Sequence, residues 1–192
     1  MIRISCSSLA SIIIDDKYLL CMNKSSFKNG LQVYTPFGGA LEYRKEALNF
    51  LTNIDADFEK GMDLRFKTNK ENLDLYKIWF KKQIDREVGI DRELIEEFVE
   101  EEKIFQNLSQ SDFISTYLKL VEDIVLNNNI ENYRYFEIYD IKFNSDKVSE
   151  IRNKMESYGD IKKLILVSKD EIMNEITNTG IKIGANAKSI IQ

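Results

Sequence analysis

Three glutamates, Glu93, Glu96 and Glu97, occur at i, i+3 and i+4 spacing within residues 91–105, the segment with the clearest helical pattern in the chain. On a helix, this spacing puts the three carboxylates on one face. Like charges packed together repel each other unless water or a cation offsets them. Since carboxylate oxygens suit Mg²⁺ and Mn²⁺, the pattern predicts a divalent-metal site on this helix.

The same segment has an ordinary interpretation. Its acidic character continues through Glu100, Glu101 and Glu102, and glutamate-rich amphipathic helices commonly present a solvated face to water. Spacing alone favours such a solvated face, so the metal interpretation needs support from elsewhere in the chain.

Composition narrows the chemistry further. The chain has no histidine, which excludes Ser-His-Asp and Cys-His catalysis and zinc sites that need imidazole. Cys6 and Cys21 are too few for a thiolate zinc site, and they indicate reduced thiols in a cytoplasmic protein.

A net charge of −5 argues against nucleic acid as a partner, and no apolar run is long enough to predict a membrane span. An acidic protein can still bind a phosphorylated small molecule through bridging metal ions.

A second unusual stretch lies upstream of the acidic helix. Pro36, the only proline, comes two residues before Gly38-Gly39, the only Gly-Gly pair. Proline fixes φ and glycine frees it, so the stretch requires a sharply specified backbone. Taken alone, it would predict a plain turn.

Alternating and helical patterns along the chain supply the elements around these motifs. Residues 8–14 and 18–22 predict a β-hairpin, residues 112–126 an amphipathic helix, and residues 133–143 a strand. Tyr76, Trp79 and Phe80 lie at helical spacing and are predicted to be core residues. Ser168 and Glu171 predict a capping box. This mixture of hairpins and helices indicates an α+β or α/β sandwich.

The two unusual stretches together resemble the Nudix box, Gly-x5-Glu-x7-Arg-Glu-U-x-Glu-Glu-x-Gly-U, where U is aliphatic. Residues 92–97 are similar to its Arg-Glu-U-x-Glu-Glu core, and residues 36–42 look like the Pro-Gly-Gly-x-x-Glu that opens it. The hairpin of residues 8–24, which ends in a basic residue, looks like the family's first hairpin. The resemblance covers roughly the first half of the chain. It implies a Nudix-type α/β/α sandwich with a mixed sheet, as one domain over residues 1–192.

The sequence also departs from the box. Gly39 and Arg92 are 53 positions apart, where the box allows 14, so about 39 residues are inserted between the glycines and the acidic helix. We expect an insertion at about residues 43–90 that covers or flanks the ligand cleft. Lys45 stands where the first box glutamate belongs, with Glu46 one position late, and Val99 replaces the last box glycine. A box split after Pro-Phe-Gly-Gly-Ala resembles the SMODS-associated NUDIX group found with bacterial second-messenger defence operons.

The Nudix resemblance implies Mg²⁺- or Mn²⁺-dependent hydrolysis of a nucleoside diphosphate linked to another moiety. Glu93, Glu96 and Glu97 would bind the metal, and one of them or a loop carboxylate would be the general base. Arg92 would orient Glu93. Gly38 and Gly39 would lie beside the substrate, and Lys24 would reach a phosphate, although a surface role for Lys24 is the more ordinary interpretation.

Two other functions stay open at this point. One is a catalytically weak nucleotide-sensing module of a bacterial anti-phage system, and the other is a structural protein whose acidic helix contacts a basic partner. The intact Arg92, Glu93, Glu96 and Glu97 core favours the enzyme. The sequence does not define the oligomeric state, and a homodimer is compatible with it.

Overall fold

The computed structural model describes all 192 residues. The chain forms two compact units, and it passes between them several times. The first unit contains Met1–Ser8, Gly39–Gly89 and Lys119–Glu137. The second contains Leu9–Gly38, Ile90–Leu118 and Ile138–Gln192.

The chain alternates short helices with strands of very different lengths. The strands are β1 (Ile2–Ile14), β2 (Lys17–Met22), β3 (Val33–Thr35), β4 (Gly38–Ala40), β5 (Asp57–Phe58), β6 (Arg65–Thr68), β7 (Phe113–Asn127), β8 (Ile130–Phe143), β9 (Leu164–Val167) and β10 (Lys182–Ile183). The α-helices are α1 (Lys24–Lys28), α2 (Leu48–Asn53), α3 (Leu73–Lys81), α4 (Asp91–Ile95), α5 (Ser145–Glu156) and α6 (Lys169–Met173). A π-helical segment, Glu96–Glu101, continues directly from α4. Segments of 3-10 helix lie at Lys45–Ala47, Lys70–Asn72 and Ala185–Ile190.

In the first unit, the start of β1 pairs with β6 in antiparallel register, from Ile2 opposite Thr68 to Ser5 opposite Arg65. Strand β5 pairs with the other edge of β6. The core is aromatic: Tyr76 packs edge-on against Phe66 at a centroid distance of 5.3 Å. Tyr76, Trp79 and Phe80 on α3 are all buried, which confirms their predicted role as core residues.

A buried ion pair also belongs to the first unit. Nη2 of Arg86 lies 2.6 Å from Oε1 of Glu137, and both side chains are almost completely buried. The remaining donors of Arg86 bind the carbonyl oxygens of Phe80 at 3.0 Å and Glu87 at 2.6 Å. The guanidinium lies 4.0 Å from the centroid of the Phe80 ring. The pair is therefore well compensated for the loss of hydration.

In the second unit, the end of β1 turns tightly into β2, with Ile13 opposite Tyr18. Asp15 and Asp16 adopt positive φ angles of 51° and 59°, as a two-residue hairpin turn requires. Strand β2 pairs antiparallel with β3 and with β9, and β3 pairs parallel with β10. The predicted hairpin is confirmed, and β1 begins earlier than expected.

The helix predicted for residues 112–126 is wrong, because this stretch forms strand β7, which pairs with β8. The stretch is rich in β-branched residues, which favour strands. The Asn128-Asn129 pair forms a hairpin turn between β7 and β8, with φ angles of 49° and 63°. Tyr117 and Ile124, which would lie on the apolar face of such a helix, are about half exposed.

The fold is mixed α and β with a mixed sheet and several helices, which confirms the α+β class expected from the sequence. The capping box of Ser168 and Glu171 is present at the start of α6. None of the helices reaches the length and hydropathy needed to cross a bilayer.

Candidate functional site

The candidate site is built on α4 and the π-helical segment of the second unit. Leu94 and Phe98 are fully buried and hold one face of this helix against the core. Phe98 stacks on Phe37 at a centroid distance of 4.2 Å and on Phe105 at 5.1 Å. Phe37 separates Pro36 from Gly38. Its stacking on Phe98 therefore anchors the glycine segment, Gly38-Gly39, to the acidic helix.

The helix widens after Ile95. The backbone N–H of Glu102 donates to the carbonyl oxygen of Glu97 at 2.9 Å, a spacing of five residues. An α-helix would use a spacing of four. Such π-helical turns are rare in proteins, but those that occur are often found at functional sites. The regular helix expected for residues 91–105 is thus correct at its start and wrong at its end. Since the widened turn changes the phase of the helix after Glu97, the side chain of Glu102 becomes buried.

Glu97 is tied to the glycine segment. The N–H of Gly38 donates a hydrogen bond of 2.5 Å to Oε2 of Glu97, and Gly38 adopts a φ of 132° that side-chain-bearing residues rarely use. Burial raises the pKa of Glu97 well above its usual range. The Gly38 N–H opposes this shift, whereas the charges of Glu93 and Glu101 raise the pKa further. Glu97 is therefore a crowded carboxylate that a cation would stabilise.

Arg92 connects the other two predicted glutamates. Its Nη2 lies 2.8 Å from Oε1 of Glu93, and its Nη1 lies 3.0 Å from Oε1 of Glu96. Glu93 is buried, but 41% of the Glu96 side chain is exposed. The structure thus brings Glu93 near Glu97, while Glu96 points toward solvent and is held by Arg92.

Lys24 lies at the start of α1, which follows β2 through the N-cap Asn23. Its Nζ lies 2.7 Å from Oε2 of Glu101 and 3.0 Å from Oε1 of Glu102. Both glutamates belonged to the stretch that the sequence assigned to a solvated face. Glu101 is half exposed, but only 8% of the Glu102 side chain is exposed.

Sequence reasoning missed Glu102 and Lys163 as members of this region. Lys163 precedes β9, and its Nζ lies 3.6 Å from Oε2 of Glu102. Oε2 of Glu102 is buried without a hydrogen-bond partner. Helical spacing places Glu102 off the metal-binding face, and only the π-helical turn brings it back, so the sequence contained no usable signal for it.

Two other positions singled out from the sequence, Gly39 and Lys45, lie in the first unit. Gly39 follows Gly38 within β4. Lys45, which stands where the box has its first glutamate, begins a 3-10 segment, and the neighbouring Glu46 is exposed.

The acidic region contains carboxylates but no preformed cage for a cation. No group of three or more acidic or cysteine side chains converges closely enough to chelate an ion. The donor set itself fits a hard cation, because it consists of carboxylate oxygens without histidine. The buried Oε2 of Glu102 without a hydrogen bond and the crowded Glu97 are both groups that a divalent cation would satisfy. The carboxylates would have to move toward each other to share one ion.

Comparison with known proteins identifies a family. A family model described as SMODS-associated NUDIX domain matches residues 1–191. Neither a curated protein nor a solved structure matched the chain.

Proposed function

The chain belongs to the SMODS-associated NUDIX domain family, and from this membership we propose that it hydrolyses a nucleoside diphosphate linked to another moiety, using Mg²⁺ or Mn²⁺. The observation that carries the proposal is the link between Gly38 and Glu97. It joins the two halves of the split box, the glycine segment and the acidic helix.

The side chains of the helix have separate roles in this proposal. Glu93, Glu96 and Glu97 are the candidate metal ligands, and Arg92 fixes the orientation of Glu93 through a contact of 2.8 Å. Glu96 would have to leave Arg92 to join them. A divalent cation supplies charge neutralisation for a pyrophosphate and activation of water for attack on phosphorus.

The backbone of the glycine segment has a different role. The N–H of Gly38 holds the Glu97 carboxylate in place, and Gly38 and Gly39 leave room for a substrate to approach the backbone. We propose a small nucleotide as the ligand. A net charge of −5 disfavours a nucleic-acid backbone, and a cytoplasmic setting suits the free thiols of Cys6 and Cys21.

A nucleotide-sensing module of a bacterial anti-phage system is the second candidate. Two observations favour it: Lys45 replaces the first glutamate of the box, and Lys24 already neutralises part of the acidic helix. A sensor would bind its nucleotide with metal but leave it intact.

A metal-dependent screen of the purified chain separates the two candidates. ADP-ribose, dinucleotide polyphosphates, nucleoside triphosphates and cyclic oligonucleotides would each be incubated with Mg²⁺ or Mn²⁺, and both turnover and binding would be measured. Hydrolysis that Glu97→Gln reduces by at least roughly 10²-fold, and that Glu100→Gln leaves intact, would support the enzyme. Glu100 is an exposed glutamate of the same helix. Tight metal-dependent binding without turnover would reject the enzyme in favour of the sensor.

A further inference from the structure

The Lys24 ammonium occupies the place in the acidic region where a cation is expected. It contacts two carboxylates of the last helical turn at 2.7 and 3.0 Å, and its charge also acts on Glu97, whose pKa it lowers. Its position is defined by local structure. The Asn23 side chain caps α1 by accepting from the N–H of Ser26 at 2.9 Å, and the N–H of Asn23 donates to the carbonyl oxygen of Val33 at 2.8 Å.

A single lysine does not satisfy these carboxylates. Lys24 contacts Oε1 of Glu102, whereas the buried Oε2 has no hydrogen bond and only the distant ammonium of Lys163, 3.6 Å away. Desolvated carboxylate oxygens without a partner are costly. A divalent cation carries twice the charge of an ammonium and can bind several carboxylates at once, so it would satisfy this oxygen where Lys24 does not.

We propose that Lys24 and a divalent cation compete for the same carboxylates, Glu97, Glu101 and Glu102, so that Lys24 is the internal counter-ion of the metal-free protein. When the cation binds, Lys24 is displaced from the helix. This inference rests on the metal dependence in the proposed function, and it extends the cation site one turn beyond the expected glutamates.

Loss of the Lys24 charge should change both the stability of the metal-free protein and its affinity for the cation. Removing the Lys24 charge leaves Glu97, Glu101 and Glu102 with more unshielded repulsion, so the metal-free protein loses stability. The same change removes the competitor and strengthens cation binding. Since 47% of the Lys24 side chain is exposed, its contacts are partly screened, and the gain in affinity is expected to be about threefold to tenfold.

The first experiment measures Mn²⁺ affinity by calorimetry at fixed ionic strength for the full chain and three variants. Lys24→Met should bind Mn²⁺ about threefold to tenfold more tightly than the unmodified chain, and Lys24→Arg, which keeps the charge, should bind with similar affinity. Lys28→Met is the matched control, because Lys28 is an exposed lysine of the same short helix, and it should change nothing. Equal or weaker binding by Lys24→Met would overturn the competition.

A second experiment uses the unmodified chain and does not depend on a variant that folds. Amine acetylation followed by mass spectrometry would report the labelling of Lys24 relative to Lys28. Saturating Mg²⁺ should raise this ratio, since displacement exposes the Lys24 amine to the reagent. A ratio that stays constant or falls while Mg²⁺ is bound would reject the displacement.

The outcomes also distinguish this inference from the proposed function. If the chain binds Mn²⁺ but Lys24→Met gains no affinity, the competition is wrong and metal-dependent hydrolysis stands. If Lys24→Met gains affinity but no nucleotide is hydrolysed, the competition stands and the enzyme is wrong. If no protein in the set binds Mn²⁺, both fail.

Discussion

The backbone N–H of Gly38 lies 2.5 Å from Oε2 of Glu97. The two residues are far apart in the sequence, and the contact fixes the Glu97 carboxylate beside Glu93 and Glu101, whose charges crowd it. Glutamine at this position would still accept the hydrogen bond through its amide oxygen, but it would remove one of the crowded charges.

We therefore expect Glu97→Gln to stabilise the metal-free protein and to abolish its response to metal. With about 1 kcal/mol of repulsion removed, the melting temperature in EDTA should rise by about 2–4 °C. The further rise on adding Mg²⁺, expected for the unmodified chain by linkage, should vanish. Thermal melts with and without Mg²⁺ measure both effects. An unchanged Mg²⁺ response in Glu97→Gln would move the metal site elsewhere.

The stack of Phe37 on Phe98 should determine stability in the second unit. Both rings are fully buried, so Phe37→Ala should lower the free energy of unfolding by about 3–5 kcal/mol through lost burial and a cavity. Phe37→Leu should cost less, about 1–2 kcal/mol, because leucine fills most of the space. Urea denaturation measures both. Similar losses for alanine and leucine would show that ring volume does not set the stability here.

The buried pair of Arg86 and Glu137 should be costly to break from one side. Glu137→Leu leaves the buried guanidinium of Arg86 uncompensated and should lower the free energy of unfolding by about 3–5 kcal/mol. The double variant Arg86→Met with Glu137→Leu should recover much of that loss, because it leaves no isolated buried charge. Urea denaturation of the two single variants and the double variant forms the cycle. Additive losses in the double variant would contradict the argument.

Acid should weaken the first unit through Glu59. The hydrogen bond from Arg3 lowers the pKa of Glu59 below its usual value, at contacts of 2.6 and 2.8 Å. A lowered folded-state pKa gives stability that is complete above the unfolded value, about 4.3, and is lost as the pH falls through the folded value.

Glu59→Gln should therefore be less stable than the unmodified chain at neutral pH, and the difference should disappear at acid pH. Since about a third of each side chain is exposed, the difference at pH 7 should stay below about 1 kcal/mol. Urea denaturation between pH 7 and pH 3 measures it, with the exposed Glu71→Gln as the control. A difference that persists below about pH 3 would show that the ion pair is not its source.

The sequence predicted the parts of the fold that local patterns control. The tight hairpin of β1 and β2, the aromatic face of α3 and the capping box at Ser168 each depend on neighbouring residues, and each is confirmed. Strand β7 could not be predicted this way, because its spacing of apolar residues fits a helix while its pairing with β8 decides the outcome. The insertion at residues 43–90 of a single domain stays a prediction.

The candidate site was predictable only as far as the helix stays regular. Glu93 and Glu97 follow α-helical spacing and lie near each other. Glu96 has the right spacing but is drawn toward solvent by Arg92. Glu102 contacts Lys24 because a π-helical turn redirects Glu102 and because the capped helix α1 places Lys24 beside it. Neither of these two causes can be recognised from the spacing of residues in the sequence.

The π-helical turn makes chain length, and not only residue type, a determinant of this site. A π-helical turn contains about one residue more than an α-helical turn. Losing a single codon between Phe98 and Glu101 would let the backbone close into an ordinary α-helix. The N–H of Glu102 donates to the carbonyl oxygen of Glu97 five residues earlier, and the shortened chain would place Glu102 at the spacing of four that an α-helix uses, still on the face of Glu97. Loss of a second residue would turn Glu102 away from that face by about 100°, so deletions in a related gene would remove the acidic end of the site only when they exceed the one extra residue of the π-helical turn.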